Sequence, residues 1–174
     1  MPEPRLNVPG YASSNHSLMH ITTLLRTSAL ALALLGTTAL AAPEDFQGKP
    51  LPSMNLKYLE TAPELQGKPA IVEFWATWCP PCRKSIPHLN EISKKYKEKG
   101  LVVVGITDED KATVEKFRKG MPMEYNVALD DGSLGKKLGI TGIPHAFVLD
   151  KEGKVAWHGH PMELDDKVLD GVLK

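Results

Sequence analysis

The 174-residue chain is 42% apolar and 24% charged, the composition of a globular protein long enough for one domain with its own core. Lys plus Arg and Asp plus Glu balance at 21 each, so the basic excess of a nucleic-acid binder is missing and any partner must be found through chemistry.

The first elements in chain order are not fold elements. Residues 1–18, "MPEPRLNVPGYASSNHSL", are polar and read as an upstream extension, with Met19 as the expected start. From there Arg26 precedes an Ala- and Leu-rich run that ends in small residues at Ala39 and Ala41, the layout of a secretory signal cleaved after Ala41. The competing reading is an uncleaved membrane anchor, but the run is shorter than the ~20 residues a spanning helix needs and is weakened by Gly36, Thr37 and Thr38. Export takes the chain out of the reducing cytosol, so cytosolic glutathione and thioredoxin do not set the state of its thiols.

Pro43 to Pro69 is dense in Pro and Gly and reads as a short N-terminal extension, with "MNLKYLE" as a short flanking strand. "AIVEFW" (70–75) and "LVVVGIT" (101–107) are apolar runs too short for helices and fit strands buried on both faces. Between them Leu89, Ile92 and Tyr96 recur at helical spacing, giving an amphipathic helix that stops at Gly100 and is kinked at Pro87. The result is strand, helix, strand with a parallel crossover. Asp110 to Lys119 is a second helix, with Val114 and Phe117 as its contacts and Gly120 as its stop. "YNVALD" is a strand, "SLGKKLG" a short helix, and "HAFVLD" and "KVAWHG" form a hairpin across "KEGK". A last helix, Glu163 to Leu173, presents Leu164, Val168, Leu169 and Val172 to the sheet. This order implies an α/β fold with a mixed sheet, parallel at its centre, antiparallel at one edge and covered by helices on both faces.

The only two cysteines lie in "FWATWCPPCRK". Their loop is too small to restrain an unfolded chain much, so a structural staple explains them poorly. A tetrahedral zinc needs about four ligands and Cys-x-x-Cys supplies half of them. His158 and His160 are the candidates to complete that set, against the plainer reading of strand-end histidines, and no metal is expected. Pro80 and Pro81 suit the first turn of a helix, which puts Cys79 at its N-terminus. Unpaired amides and the dipole there favour a thiolate, making Cys79 the nucleophile, while Cys82, one turn inside, resolves the mixed disulfide. Such exchange needs no bound cofactor. Glu73 interrupts an apolar strand, and a buried carboxyl has a raised pKa, which would let it take the proton of Cys82. Pro144 stands at the head of a strand, where a trans bond is the ordinary case.

Taken together, "FWATWCPPC", Pro87 and "GIPHAFVLDKEGKV" resemble the thioredoxin superfamily, within it the exported TlpA, ResA and DsbE (CcmG) group of thiol-disulfide oxidoreductases. The likeness spans about Leu51 to Lys174, within an expected domain at 42–174. It implies a thioredoxin-like fold, a cis Pro144 beside the active disulfide, and an Ile143 backbone that pairs with a bound client. Trp78, Pro80 and Pro81 complete the implied client-contacting surface. Glu73 matches the buried acid of ordinary thioredoxins, a position often Asn in the TlpA group. The ResA branch carries a glutamate three residues after the second cysteine, where this chain has Ser85; that departure moves the acid's role to Glu73.

The function so implied is an exported, monomeric, periplasmic disulfide reductase, its clients including the haem-binding cysteines of apocytochrome c and its electrons coming from a membrane thiol carrier resembling DsbD or CcdA. A disulfide oxidant or isomerase uses the same sulfurs at another potential. A non-enzymatic binding module is the third reading. A peroxidase would separate its two cysteines, and here both lie in one Cys-x-x-Cys.

Overall fold

The computed structural model describes residues 45–174; the expected extension at 1–18, the signal at 19–41 and the start of the 42–174 domain lie outside the described residues. Six strands form one sheet in the order β1-β4-β3-β2-β5-β6: β1 (Lys57–Tyr58), β2 (Ala70–Phe74), β3 (Val102–Thr107), β4 (Asn126–Leu129), β5 (His145–Leu149) and β6 (Val155–Gly159). β2, β3 and β4 are parallel, while β1, β5 and β6 join antiparallel. Antiparallel pairing thus flanks the parallel centre on both sides, where the sequence implied it on one. The second flank is β1, the "MNLKYLE" strand, reduced to two paired residues.

β2 is the central strand, and all five of its residues are buried. With neighbours on both edges and layers on both faces it has no solvent side, so it reads as an apolar run instead of an alternation. Its alternate residues nonetheless part company. Ile71 and, one residue past the strand, Trp75 enter one core with α1 (Pro80–Tyr96), α2 (Lys111–Gly120) and α4 (Asp166–Val172). Val72 and Phe74 enter the other, beneath α3 (Ser133–Lys137) and the extension residues Phe46, Leu51 and Leu56.

α1 buries Cys82, Ser85, Ile86, Leu89, Ile92 and Tyr96, a stripe at helical spacing, and runs through Pro87 as one helix. Pro87 points outward and lacks only the N–H it would give the Arg83 carbonyl. Burying Ile86, Leu89 and Ile92 is worth about 2 kcal/mol each, enough to carry the proline in place. A 3-10 turn, Lys97–Lys99, then leads to Gly100, whose φ of 88° closes the element. At the C-terminal end the expected helix from Glu163 divides. Pro161–Glu163 is a 3-10 turn, and α4 starts only after Asp165, whose carboxylate accepts the Val168 N–H. The split turns Val168 partly outward and seats Leu169 and Val172 in the core, with Leu164 buried from the connecting turn.

Trp75 packs its indole over β3 at the one position that has no side chain. A Cβ on Gly105 would stand 3.0 Å from Trp75 Nε1 and 3.1 Å from Tyr125 Cε2. Trp75 Nε1 is buried without a hydrogen-bond partner. That costs about 1–3 kcal/mol, less than the roughly 4 kcal/mol gained by burying an indole. Gly105→Ala is expected to lower stability by about 1–3 kcal/mol through overpacking, read as a lower urea midpoint at unchanged slope.

Candidate functional site

The chain leaves β2 at Phe74, and Trp75-Ala76-Thr77-Trp78 bridges to α1. This bridge is tied down by one side chain. The Thr77 N–H and hydroxyl each donate to the Glu109 carboxylate at 2.6 Å, and the Thr107 hydroxyl adds a third bond at 3.2 Å. Glu109 sits in the acidic run "DED", which in sequence looks like a solvated loop; nothing in the spacing marks it as the clamp of the reactive turn.

Cys79 is the N-cap of α1 and Pro80 and Pro81 open the helix, as the sequence implied. The Cys79 sulfur does the capping, accepting the Cys82 N–H at 3.2 Å. It therefore receives an amide that would otherwise lack a partner, at the positive end of a 17-residue helix. Both effects stabilise a thiolate on Cys79 once the bond is reduced. The two sulfurs are joined as a disulfide. Cys79 is 3% exposed and Cys82 fully buried, so Cys79 is the more accessible of the two.

The Ile143–Pro144 peptide is cis, against the base rate and in line with the resemblance. It brings the Ile143 carbonyl oxygen to 3.7 Å from Cys79 Sγ, so positions 64 residues apart share one site. Trp78 is 66% exposed beside this pair. Trp78 and Ile143 line a cavity of about 280 Å³ together with Phe74, Ile106 and Ile140, with Asp108 and Asp131 among its polar lining. Pro80 and Pro81 are exposed on the same turn and Pro144 is buried. The structure thus gathers Cys79, Trp78, Pro80, Pro81, Ile143 and Pro144 around one disulfide. The His158 ring stacks on Phe147, and its Nδ1 lies 3.3 Å from His145 Nε2. Among the described residues no group of three or more His, Cys, Asp or Glu could hold a metal ion.

Glu73 lies in the middle of β2, fully buried, level with Gly105 on one neighbour and Ala146 on the other. Its carboxyl points beneath α1. Oε1 is 3.0 Å from Ser85 Oγ, Oε2 is 3.3 Å from Tyr125 Oη, and Ser85 Oγ is 2.8 Å from the Cys82 carbonyl oxygen. Burial dominates the two hydrogen bonds and raises the Glu73 pKa from 4.5 to about 8. Neither Ser85 nor Tyr125 was assigned to the site from sequence. Ser85 had a usable signal, a hydroxyl on the apolar stripe of α1; Tyr125 had none, since tyrosine is ordinary at the start of a strand.

The raised pKa makes stability depend on pH. Below 4.5 the acid is protonated folded or unfolded and contributes nothing; above that value the folded state keeps a proton that the unfolded state releases, so stability falls until about pH 8 and then levels. The loss totals about 5 kcal/mol at about 1.4 kcal/mol per unit. In the oxidised protein, Glu73→Gln is expected to remove this slope, so that urea unfolding of the two proteins diverges as pH rises and the variant is the more stable under alkaline conditions.

A protein-family model described as the AhpC/TSA family matches residues 45–158. The thiol-disulfide oxidoreductase ResA of Bacillus thuringiensis is 39% identical over 94 residues, 53% of this chain and 54% of that protein. The chain thus spans about half the length of this relative. The thiol:disulfide interchange protein DsbE of Pasteurella multocida is 35% identical over 132 residues, 71% of this chain and 70% of that one. Among solved structures, a thiol:disulfide interchange protein of the thioredoxin family from Chlorobium tepidum is 32% identical with a TM-score of 0.55, covering 63% of this chain and 83% of its own. With its mixed sheet, its disulfide at the head of α1 and these relatives, the chain belongs to the AhpC/TSA family and has a thioredoxin-like fold of the ResA and DsbE type.

Proposed function

We propose that this chain is an exported thiol-disulfide oxidoreductase that reduces disulfides of client proteins through Cys79 and Cys82. The observation that carries the reading is the disulfide whose outer sulfur caps α1 and stands 3.7 Å from the carbonyl next to cis Pro144. The names of the ResA and DsbE relatives support the same chemistry.

In the reduced protein the Cys79 thiolate attacks one sulfur of a client disulfide. The client bond breaks, a Cys79–client bond forms, and the other client sulfur leaves as a thiolate. Cys82 then gives its proton to the Glu73 carboxylate, and its thiolate attacks Cys79 Sγ. The second client thiolate leaves, and two electrons have passed from the dithiol to the client. Magnitudes favour Glu73 as acceptor: an ordinary carboxyl near 4.3 lies about four units below a thiol near 8.5, whereas one at about 8 is nearly matched to it. Trp78 and Ile143 form the contact surface for the client, the apocytochrome c cysteines being the client class the resemblance implies. Electrons return from a membrane thiol carrier, since an exported protein has no NADPH supply, and the domain acts as a monomer.

One observation favours the oxidant reading. Capping and dipole stabilise the reduced thiolate, which by itself makes a dithiol more oxidising. Titration of Trp78 fluorescence against a dithiol buffer separates the two readings. A midpoint near about −270 mV is expected for a reductase, and one near about −120 mV shows an oxidant. Cys82→Ser is expected to hold clients as mixed disulfides that Cys79→Ser does not form. Export is tested by sequencing the native N-terminus, with a mature chain beginning at Ala42 expected.

A further inference from the structure

The contacts around Glu73 can be counted in protons. Three close approaches link Tyr125 Oη to Glu73 Oε2, Glu73 Oε1 to Ser85 Oγ, and Ser85 Oγ to the Cys82 carbonyl oxygen. The two hydroxyls bring two protons. Ser85 stands between a carboxyl oxygen and a carbonyl oxygen, 3.0 and 2.8 Å away, and one hydroxyl proton serves one of them well. All three contacts are hydrogen bonds at once only if Glu73 Oε1 carries the third proton. The chain then runs in one direction, from Tyr125 to Glu73 to Ser85 to the Cys82 carbonyl. The disulfide is closed in this structure, the state in which the proton released by Cys82 should have arrived.

We propose that Ser85 and Tyr125 are positioning residues for the resolving step, and that the Ser85 hydroxyl turns from Glu73 to the Cys82 carbonyl when Glu73 takes the proton of Cys82. Before the transfer Ser85 and Tyr125 both donate to the Glu73 carboxylate. After it Glu73 donates to Ser85, and Ser85 donates to the backbone of the cysteine that has just closed the disulfide. Glu73 faces no other charge across its own strand pairs, which present Gly105 and Ala146. On the packed side α1 presents Cys82 and Ser85, and the segment before β4 presents Tyr125, whose own pKa is pushed well up by burial and by Glu73. The charge felt at Tyr125 from α2 is that of Arg118, which is bound to Glu60 and to the Met123 carbonyl. Two hydroxyls are therefore the donors that set how readily Glu73 accepts a proton, and both lower its pKa against the effect of burial.

This inference rests on the reading of Glu73 as proton acceptor, and the experiment separates them. In the unaltered oxidised protein at about pH 6, infrared spectroscopy is expected to show the carbonyl band of a protonated carboxyl that is missing in Glu73→Gln and displaced in Ser85→Ala. In single-turnover resolution of a mixed disulfide, Ser85→Ala and Tyr125→Phe are expected to raise the midpoint of the pH profile by about one unit. That slows resolution near neutrality roughly tenfold and leaves the initial attack by Cys79 unchanged. If both variants keep the wild-type midpoint while Glu73→Gln abolishes it, the positioning role falls and the acceptor reading stands. If Glu73→Gln also leaves the profile unchanged, both fall. Absence of the protonated band from the oxidised wild-type protein, a measurement that depends on no variant folding, overturns the proton count directly.

Discussion

The cap of α1 is a sulfur atom, and the site is arranged around that fact. A helix that starts with two prolines has little amide to spare in its first turn, and the Cys82 N–H it does offer goes to Cys79 Sγ. The usual oxygen cap satisfies an amide and ends there. Here the same bond also reaches the sulfur proposed to attack client disulfides, and it favours a thiolate there once the disulfide is reduced. Local folding and reactivity are thus one interaction, and neither can be altered without the other.

Everything that holds this turn comes from elsewhere in the chain. β2 fixes where the helix begins because it is paired on both edges and has no freedom to slide. Glu109, just after β3, grips Thr77 by its amide and its hydroxyl. The cis bond before Pro144 places a backbone carbonyl beside the sulfur from the turn ahead of β5. Gly105, lacking a side chain, lets Trp75 and Tyr125 lie against β3 and so leaves Tyr125 within reach of Glu73. Two strands and three connecting segments therefore meet at a site whose sequence motif is only four residues long.

The buried acid shows how position can replace identity. A carboxyl on β2 and one on α1 three residues after Cys82 occupy the same small space, since Glu73 and Ser85 are in hydrogen-bond contact. Placing the acid on the strand with a hydroxyl on the helix keeps one ionisable group under the cysteine pair. A second carboxyl there would meet the first at close range, with one of the two forced to stay protonated. Burial without a cationic partner is what keeps Glu73 matched to a thiol and distinct from an ordinary surface acid.

The elements and the redox disulfide were legible in the chain, because they follow from local chemistry. Apolar runs of strand length, an α1 stripe at helical spacing and prolines in the first helical turn are covalent facts that few folds accommodate. Cysteine spacing and a lone acid in "AIVEFW" likewise marked the disulfide pair and a perturbed carboxyl before any coordinates. The tertiary structure alone decided what those groups touch. Tyr125 and Glu109 look like ordinary strand-end and loop residues, and Ser85 shows only as a hydroxyl on the α1 stripe, until folding brings them to Glu73 and Thr77 across 52, 32 and 12 positions. The last helix began late because a proline turn and an aspartate cap intervened. Hydrogen-bond partners distant in sequence leave no periodic trace, so packing alone assigned them.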